Sequence, residues 1–433
     1  MGTVVKAEGS QSAGRARAPA ASAPSRPDRR VKVLLCPDVI GWAYDNITNN
    51  VVRHQGDGAY ELSRAYIGDY QLDLPRFVYE TFVANTYDIV HIFFREAMRA
   101  ILSPETLTAT ARHYKLAPEQ LAAAVMKPVL TTSIYDHLHL GAAAIADRRR
   151  FFHLIDGYLV SSNRLKTIYE GIKAIPPPKA VIPDGVDLEL FQPRNLGRFD
   201  ALDRTIRIGW VGNSKWGTDH ADDPKGLHTI LKPAIARLQR EGYRVEEHLA
   251  DVNIKRRTRE QMVEYYGEID ILVCASLIEG TPNPALEASA CGVPMVSTDV
   301  GIIPELFGPE QSKFILAERS PDHMYEALKR LIDDPAMMRQ LSAENMRSAT
   351  AWQWADLTTE WNQFFDRARA AAREEHSRFL RRQLIATEIH AGLLRRSGVK
   401  AIIKHTLAQS KTVQHIHATQ PGLVKVVKRV TGI

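Results

Sequence analysis

The chain has 433 residues, 56 Lys and Arg against 50 Asp and Glu, a net charge of +6 and three cysteines. That length allows two or three domains with full cores; the lack of any run of about 18 apolar residues excludes a membrane-spanning helix, and cysteines without paired spacing exclude a disulfide framework or a Cys/His zinc site. The charge is uneven, with net +4 over residues 1–30 and +9 over 373–433, which leaves the body at −7 and argues against a nucleic-acid-binding core.

Residues 1–30, rich in Ala, Ser, Pro and Arg, read as a disordered basic tail. They lack the apolar centre of a secretory signal, and Lys6 stands where a myristoylation signal needs Ser or Thr. A reducing cytoplasm is the expected compartment. Order begins at VKVLLCPD (31–38), a strand running into a loop that contains Gly41. YDIVHIFF (87–94), KPVLTTSIYDH (127–137), DGYLVSS (156–162) and KAVIPDGVD (179–187) predict further parallel strands of a first α/β domain, 31–191. Arg95 is either an acceptor contact in a crevice or half of a surface ion pair. DRRRFFHL (147–154) reads as a solvated helix face or an anion contact. The polar stretch 192–204 predicts a linker.

A second α/β series fills 205–351. TIRIGWVGN is a strand entering a glycine turn, GLHTILKPAIARLQREG an amphipathic helix closed by Gly242, YRVEEHLAD a strand and RTREQMVEYYGEID a helix. Asp219, His220, Asp222 and Asp223 are a metal cluster or, preferred, a solvated loop. After two further helices, Trp354, Leu357, Trp361, Phe364 and Phe365 share one face of a closing helix, 352–372, which packs back towards the first domain. In the tail, 373–433, Leu380, Leu384, Glu388 and the Leu393/Leu394 pair fall near one stripe with arginines beside it, and LVKVVKRV (423–430) is basic and apolar too. This amphipathic tail either lies on an anionic membrane surface or docks on the protein or a partner. No GxGxxG follows the first strand and no Walker lysine motif occurs.

The most informative stretch is EGTPNPALEASACGVPMVSTD, 279–299. It follows the apolar strand ILVC, and Asn283 suits a helix N-cap with Pro284 at the first helical position. PALEASAC reads as helix, Gly292 as its stop, and VPMVSTD as the next strand. Glu279 thus sits at the carboxyl end of a strand, where parallel sheets bind ligands, and Glu287 faces the same crevice if the helix is so aimed. A helix start attracts phosphate, and two carboxylates beside it suit the hydroxyls of a sugar or ribose. The alternative is a solvated loop acid plus an acid that merely favours the helix dipole.

Four stretches together resemble the retaining GT-B glycosyltransferases of family 4: VIPDGVDLELFQP, IGWVGNSKWGTDHADDPKGLHTIL, IDILVCASLIEGTPNPALEASACGVPMVSTDVGIIPEL and WQWADLTTEWNQFF, spanning about 180–370. The resemblance implies two Rossmann-like domains facing an interdomain cleft. It implies transfer of a sugar, with retention, from a UDP- or GDP-sugar to a hydroxyl of a glycan or lipid-linked acceptor, without a metal or other cofactor. Polysaccharide or glycoconjugate biosynthesis is the implied setting; with the sparse cysteines and the basic tail, the expected place is the cytoplasm, peripheral to the membrane. Carried onto this sequence, Glu287 would accept from the ribose hydroxyls and Glu279 would contact the donor sugar. The Gly280 and Thr281 amides and the helix start at Asn283 would approach sugar or phosphates, Lys225 would stabilise the leaving diphosphate, and Gly41 would bring the first loop to it. Two departures stand out: Asn213, Ser214 and Lys215 replace an arginine usual after VG, with Lys215 supplying a charge, and Tyr135, Asp136 and His137 replace a His-Asp pair, with His137 taking the place near the sugar. They leave room for a non-catalytic scaffold of this shape, or for a sugar-nucleotide epimerase or hydrolase.

Overall fold

The strand expectations resolve into two parallel sheets in a computed structural model that describes residues 29–55, 58–200, 204–216 and 223–395. The expectations for residues 1–28, for Asp219, His220 and Asp222, and for 396–433 lie outside the described residues. The first sheet takes β1 (Val31–Cys36), β2 (Tyr60–Arg64), β3 (Ile89–Phe94), β4 (Val129–Ile134), β5 (Gly157–Val160) and β6 (Ala180–Val181), in the order β2-β1-β3-β4-β5-β6. The second takes β7 (Ile206–Gly212), β8 (Val245–Asp251), β9 (Ile271–Cys274) and β10 (Met295–Ser297), in the order β10-β9-β7-β8. All pairings are parallel. Central strands such as β4 are buried along their whole length, as a sheet covered by helices on both faces requires. Edge strand β2, YELSR, buries only Tyr60, so it has no apolar run to announce it in the sequence. Helices on either side of β3 carry local start signals: Asp73 accepts from the Arg76 amide before it and Ser103 from the Thr106 amide after it, and each of these two helices carries a proline in its first turn.

The expected linker at 192–204 is corrected. Phe199 belongs to the core of the second domain, and Arg198 is buried, donating to the carbonyls of Ile269 and Tyr266. Val186 and Phe191 also pack into that domain. The chain crosses earlier, around Asp184–Val186, where the Val186 amide donates to Trp352 O at 2.8 Å. The forward and return crossings are therefore bonded to each other. A side chain at Gly185 would strike the Trp354 ring. Past the return crossing, the helix Trp354–Ala371 buries Trp354, Trp361, Phe364 and Phe365 in one cluster with β1 and β3 residues of the first domain. Buried His91 stands inside this aromatic cage, bonded to Thr131 and Ser133; desolvation pushes its pKa down to about 3, so it is a neutral structural residue.

Of the two readings of the tail, the described residues take the one in which its helix docks on the protein. The helix Glu375–Arg395 turns its stripe inward: Leu380, Leu384, Ile385 and Ile389 are buried, so this stripe cannot face a bilayer. Arg381 pairs with Asp156 at 2.6 Å, and Arg378 donates to the Pro128 carbonyl. Glu388, 1% exposed, is gripped by Arg150 of the supposedly solvated DRRRFFHL face. Arg148 of the same run pairs with Glu96, and Phe151 and Phe152 are core. Glu388→Gln keeps a hydrogen bond but leaves Arg150 uncompensated, and is expected to lower stability in urea by roughly 2 kcal/mol; an unchanged midpoint would mean the pair contributes nothing.

Candidate active site

The carboxyl ends of the two sheets face each other across a crevice, as ligand-binding α/β folds do. The loop after β1 meets the loop after β8 where Arg256 donates to Gly41 O at 2.5 Å. Gly41 has φ +75°, a conformation that glycine adopts without strain. Arg259 donates to Asn46 Oδ1 and lies over Phe191. The loops after β4 and β5 touch the loop after β9: a Cβ on Gly280 would lie 2.3 Å from both Tyr135 O and Ser161 Oγ. The immediate reason for glycine at 280 is thus contact between domains. Thr281 Oγ1 accepts from the Asp184 amide at 3.2 Å and lies 3.4 Å from Ser161 O, which makes it a buried tie between domains. Arg164 reaches Asp299, and Asn163 reaches Glu305.

At the heart of the crevice Lys225 Nζ donates to Glu279 Oε1, and Ser276 Oγ donates to the same oxygen at 2.7 Å. The lysine ammonium also lies 5.3 Å from the centre of the Trp216 ring. The loops carrying the pair are fastened together. Gly226 has φ +66° and would place a Cβ 2.3 Å from Ala275 O, while Leu277 N donates to Pro224 O at 2.8 Å. Arg319 clamps both, donating to Ala275 O and Asp223 O. Asp223 itself accepts from the amides of His228 and Thr229, so its carboxylate caps the following helix.

The helix Asn283–Ala290 begins beside Glu279. Its N-cap is Pro282 and not Asn283, because the Asn283 side chain is turned away to donate to Asp184 Oδ2 at 3.0 Å. No side chain caps this start, but Pro284 has no N–H and the Ala285 amide donates to Pro282 O at 2.8 Å, so an anion would meet the positive end of the helix and not a row of open amides. Gly292 closes it with φ +70°. One turn in, Glu287 accepts from the Tyr266 hydroxyl at 2.8 Å. Burial raises its carboxyl to about 6, against the opposing pull of Arg259 and the Tyr266 bond. Asn213 Oδ1 accepts from the Lys215 amide and the Asn253 side chain, so it organises the turn after β7.

On the first domain's side, Asp136 Oδ1 accepts from Arg95 at 2.6 Å and from the Leu138 amide. Arg95, 5% exposed, also holds Tyr169 and the Leu138 carbonyl; it is a buried clamp on the 135–139 loop and neither an acceptor contact nor a surface pair. His137 is half-buried, and burial lowers its pKa, which keeps the ring neutral. Four buried polar atoms here have no hydrogen-bond partner: Tyr135 OH, His137 Nδ1, Ser161 Oγ and Asp184 Oδ1. Among the described residues no three His, Cys, Asp or Glu side chains group as metal ligands.

Residues 239–348, which contain the Glu279–Glu287 stretch, match the family Glycosyl transferases group 1. The chain is 27% identical over 227 residues to the MMP alpha-(1->4)-mannosyltransferase of Mycolicibacterium hassiacum, covering 48% of this chain and 53% of that one. The chain thus spans about half the length of this curated relative. The fold is GT-B. It superposes on the sucrose-phosphate synthase of Thermosynechococcus elongatus with TM-score 0.56 at 16% identity, over 79% of this chain and all of that one. The Anabaena Alr3699/HepE structure in complex with UDP-glucose gives 0.53 at 13%, over 78% of this chain and all of that one.

Within the crevice, sequence reasoning missed Ser276, Tyr266, Arg256, Arg259 and Asp184. The basic run at 255–259 directly after β8 was a usable signal for the two arginines, since it sits at a strand's carboxyl end. Nothing local marked Tyr266, whose hydroxyl meets Glu287 only through helix packing.

Proposed function

We propose that this protein is a retaining glycosyltransferase that moves a sugar from a UDP- or GDP-sugar to a hydroxyl of a glycan or glycolipid, in surface polysaccharide or glycoconjugate assembly. The observation that carries the reading is the Lys225–Glu279 pair beside an uncapped helix start, at the meeting of two sheets' carboxyl ends. A cation and the positive end of a helix suit a diphosphate; carboxylates suit sugar and ribose hydroxyls. The unpartnered His137 Nδ1 and Ser161 Oγ on the opposite wall support a hydroxyl-rich ligand, since a polar group left unpaired costs about 1–3 kcal/mol. The family match and the mannosyltransferase relative favour the same reaction class.

In this reading the bond from the anomeric carbon to the diphosphate breaks as the acceptor oxygen attacks from the same face. The departing phosphate oxygen takes the acceptor proton, so no side chain need act as base. Lys225 leaves Glu279 for the diphosphate and offsets its growing charge. Glu279, released, accepts from donor-sugar hydroxyls and fixes the pose. The charge is carried by Lys225 and backbone amides, and chelators are not expected to alter turnover.

A melting-temperature screen of nucleoside diphosphates tests the donor: UDP or GDP is expected to stabilise the protein, and no response to either would overturn the reading. Glu287 adds a pH signature. Its carboxyl protonates as pH falls through about 6 and then loses acceptor capacity. Nucleotide affinity by calorimetry is expected to drop about tenfold below that pH, and Glu287→Gln to be weak and flat across it. Equal affinity for the variant would remove Glu287 from the ribose.

A further inference from the structure

On the outer face of the first domain a cavity of about 1230 Å³ opens between the helices Pro104–His113, Ala142–Leu154 and Glu375–Arg395. Its floor is apolar, built from Ala109, Ile145, Ala146 and Ala391. Five arginines and three acids line it. Arg150 is neutralised by Glu388, and Arg99 by Glu96 and Asp147. Arg112, Arg149 and Arg395 make no ion pair among the described residues. The lining also holds Thr108, 6% exposed, whose hydroxyl has no hydrogen-bond partner.

We propose that this groove is a binding site for a phosphate-bearing lipid of a bilayer, its headgroup held by Arg112, Arg149 and Arg395 and its first apolar segment laid on the alanine floor. Charge decides the occupant. The chain's own residues 396–433 leave from Arg395 at the rim, and they hold Arg396, Lys400, Lys404, Lys411, Lys425, Lys428 and Arg429 without one Asp or Glu. An arginine-rimmed groove repels such a segment. The groove's own arginines without an ion pair among the described residues, Arg112, Arg149 and Arg395, instead fit an anionic bilayer. Apolar floor beside cationic rim matches an amphiphile better than a free phosphate. The site is linked to the crevice along the chain: Ala142 and Ala143, which line the groove, lie five and six residues after His137. A lipid seated here holds the crevice's first-domain wall at the bilayer. The buried stripe of the helix Glu375–Arg395 plays no part, since it already packs on the protein.

The inference goes beyond sugar transfer and is tested without it. The full chain is floated with phosphatidylcholine vesicles, with and without phosphatidylglycerol. Binding is expected only with the anionic lipid, and Arg112→Glu with Arg149→Glu is expected to weaken it about tenfold or more. Both arginines are unpaired, so the double variant should keep its melting temperature and its nucleotide response; a variant that loses these is replaced by Ala109→Glu with Ala146→Glu, which charges the floor. Equal flotation of the groove variants and the parent, with loss only in Lys425→Glu/Lys428→Glu, would assign binding to the tail and overturn the groove. Release by inorganic phosphate at matched ionic strength would show a free-phosphate site and also overturn it.

Discussion

Lys225→Ala is expected to lower kcat/KM by roughly 10–100-fold, with most of the loss in kcat and a smaller rise in donor KM. A hydrogen bond to a charged group contributes about 1.5–3 kcal/mol, and each ~1.4 kcal/mol is tenfold in rate. A helix start contributes only about 0.3–1 kcal/mol when exposed and ~2 when partly buried, so the lysine outweighs the amides of the helix Asn283–Ala290. The split between kcat and KM matters because a group that meets charge developing on the leaving diphosphate acts in the transition state, not the ground state. The resting pair gives a second readout. In the variant, Glu279 keeps only the Ser276 hydroxyl among its hydrogen bonds to side chains, and the freed acid repels the diphosphate. Lys225→Ala with Glu279→Gln should therefore recover part of the donor affinity but not the rate. A Lys225→Ala enzyme with a near-parental rate would take the lysine out of the chemistry.

The sequence disclosed this site unevenly, for physical reasons. Lys225 and Glu279 were legible because each follows a strand with a strong apolar signature, β7 and β9, and a parallel sheet delivers such loops to one edge. Their direct pairing was not legible, because it depends on Gly226 packing against Ala275 and on Arg319 arriving from a distant loop. Asn283 shows how a local rule is overridden: its side chain suits a helix cap, yet Asp184 from the other domain draws it away. The two readings of the tail could not be separated in the sequence for a related reason. Leu380 and Leu384 announced an amphipathic helix, but periodicity does not say whether bilayer or protein covers the apolar face. Glu388 was the overlooked clue, since an acid within the apolar stripe matches the buried Arg150 and suits no anionic membrane. Edge strand β2 escaped because an edge needs few apolar residues.

Asp184→Asn is expected to stabilise the protein at pH 8 and to leave it unchanged near pH 4. Asp184 is 2% exposed at the crossing between domains. One carboxylate oxygen accepts from Asn283, and the other has no hydrogen-bond partner. Burial drives its pKa up to about 7, while Asn283 and the neighbouring Tyr135 recover only part of that. Because the folded value lies above the ordinary carboxylate value of 3.8, the folded state binds the extra proton between the two. The acid's contribution to stability is thus complete below about 3.8 and is lost as pH rises through about 7. Ionising against burial then costs the fold on the order of 4 kcal/mol at pH 8, as an upper bound. Asparagine has the same shape, keeps an acceptor for Asn283, turns an N–H towards the Tyr135 oxygen and never ionises. The variant's Tm should exceed the parent's by roughly 5–10 °C at pH 8, and the two melting profiles should converge on acidification. Parallel profiles from pH 4 to pH 8 would show that Asp184 does not titrate in this range within the folded protein.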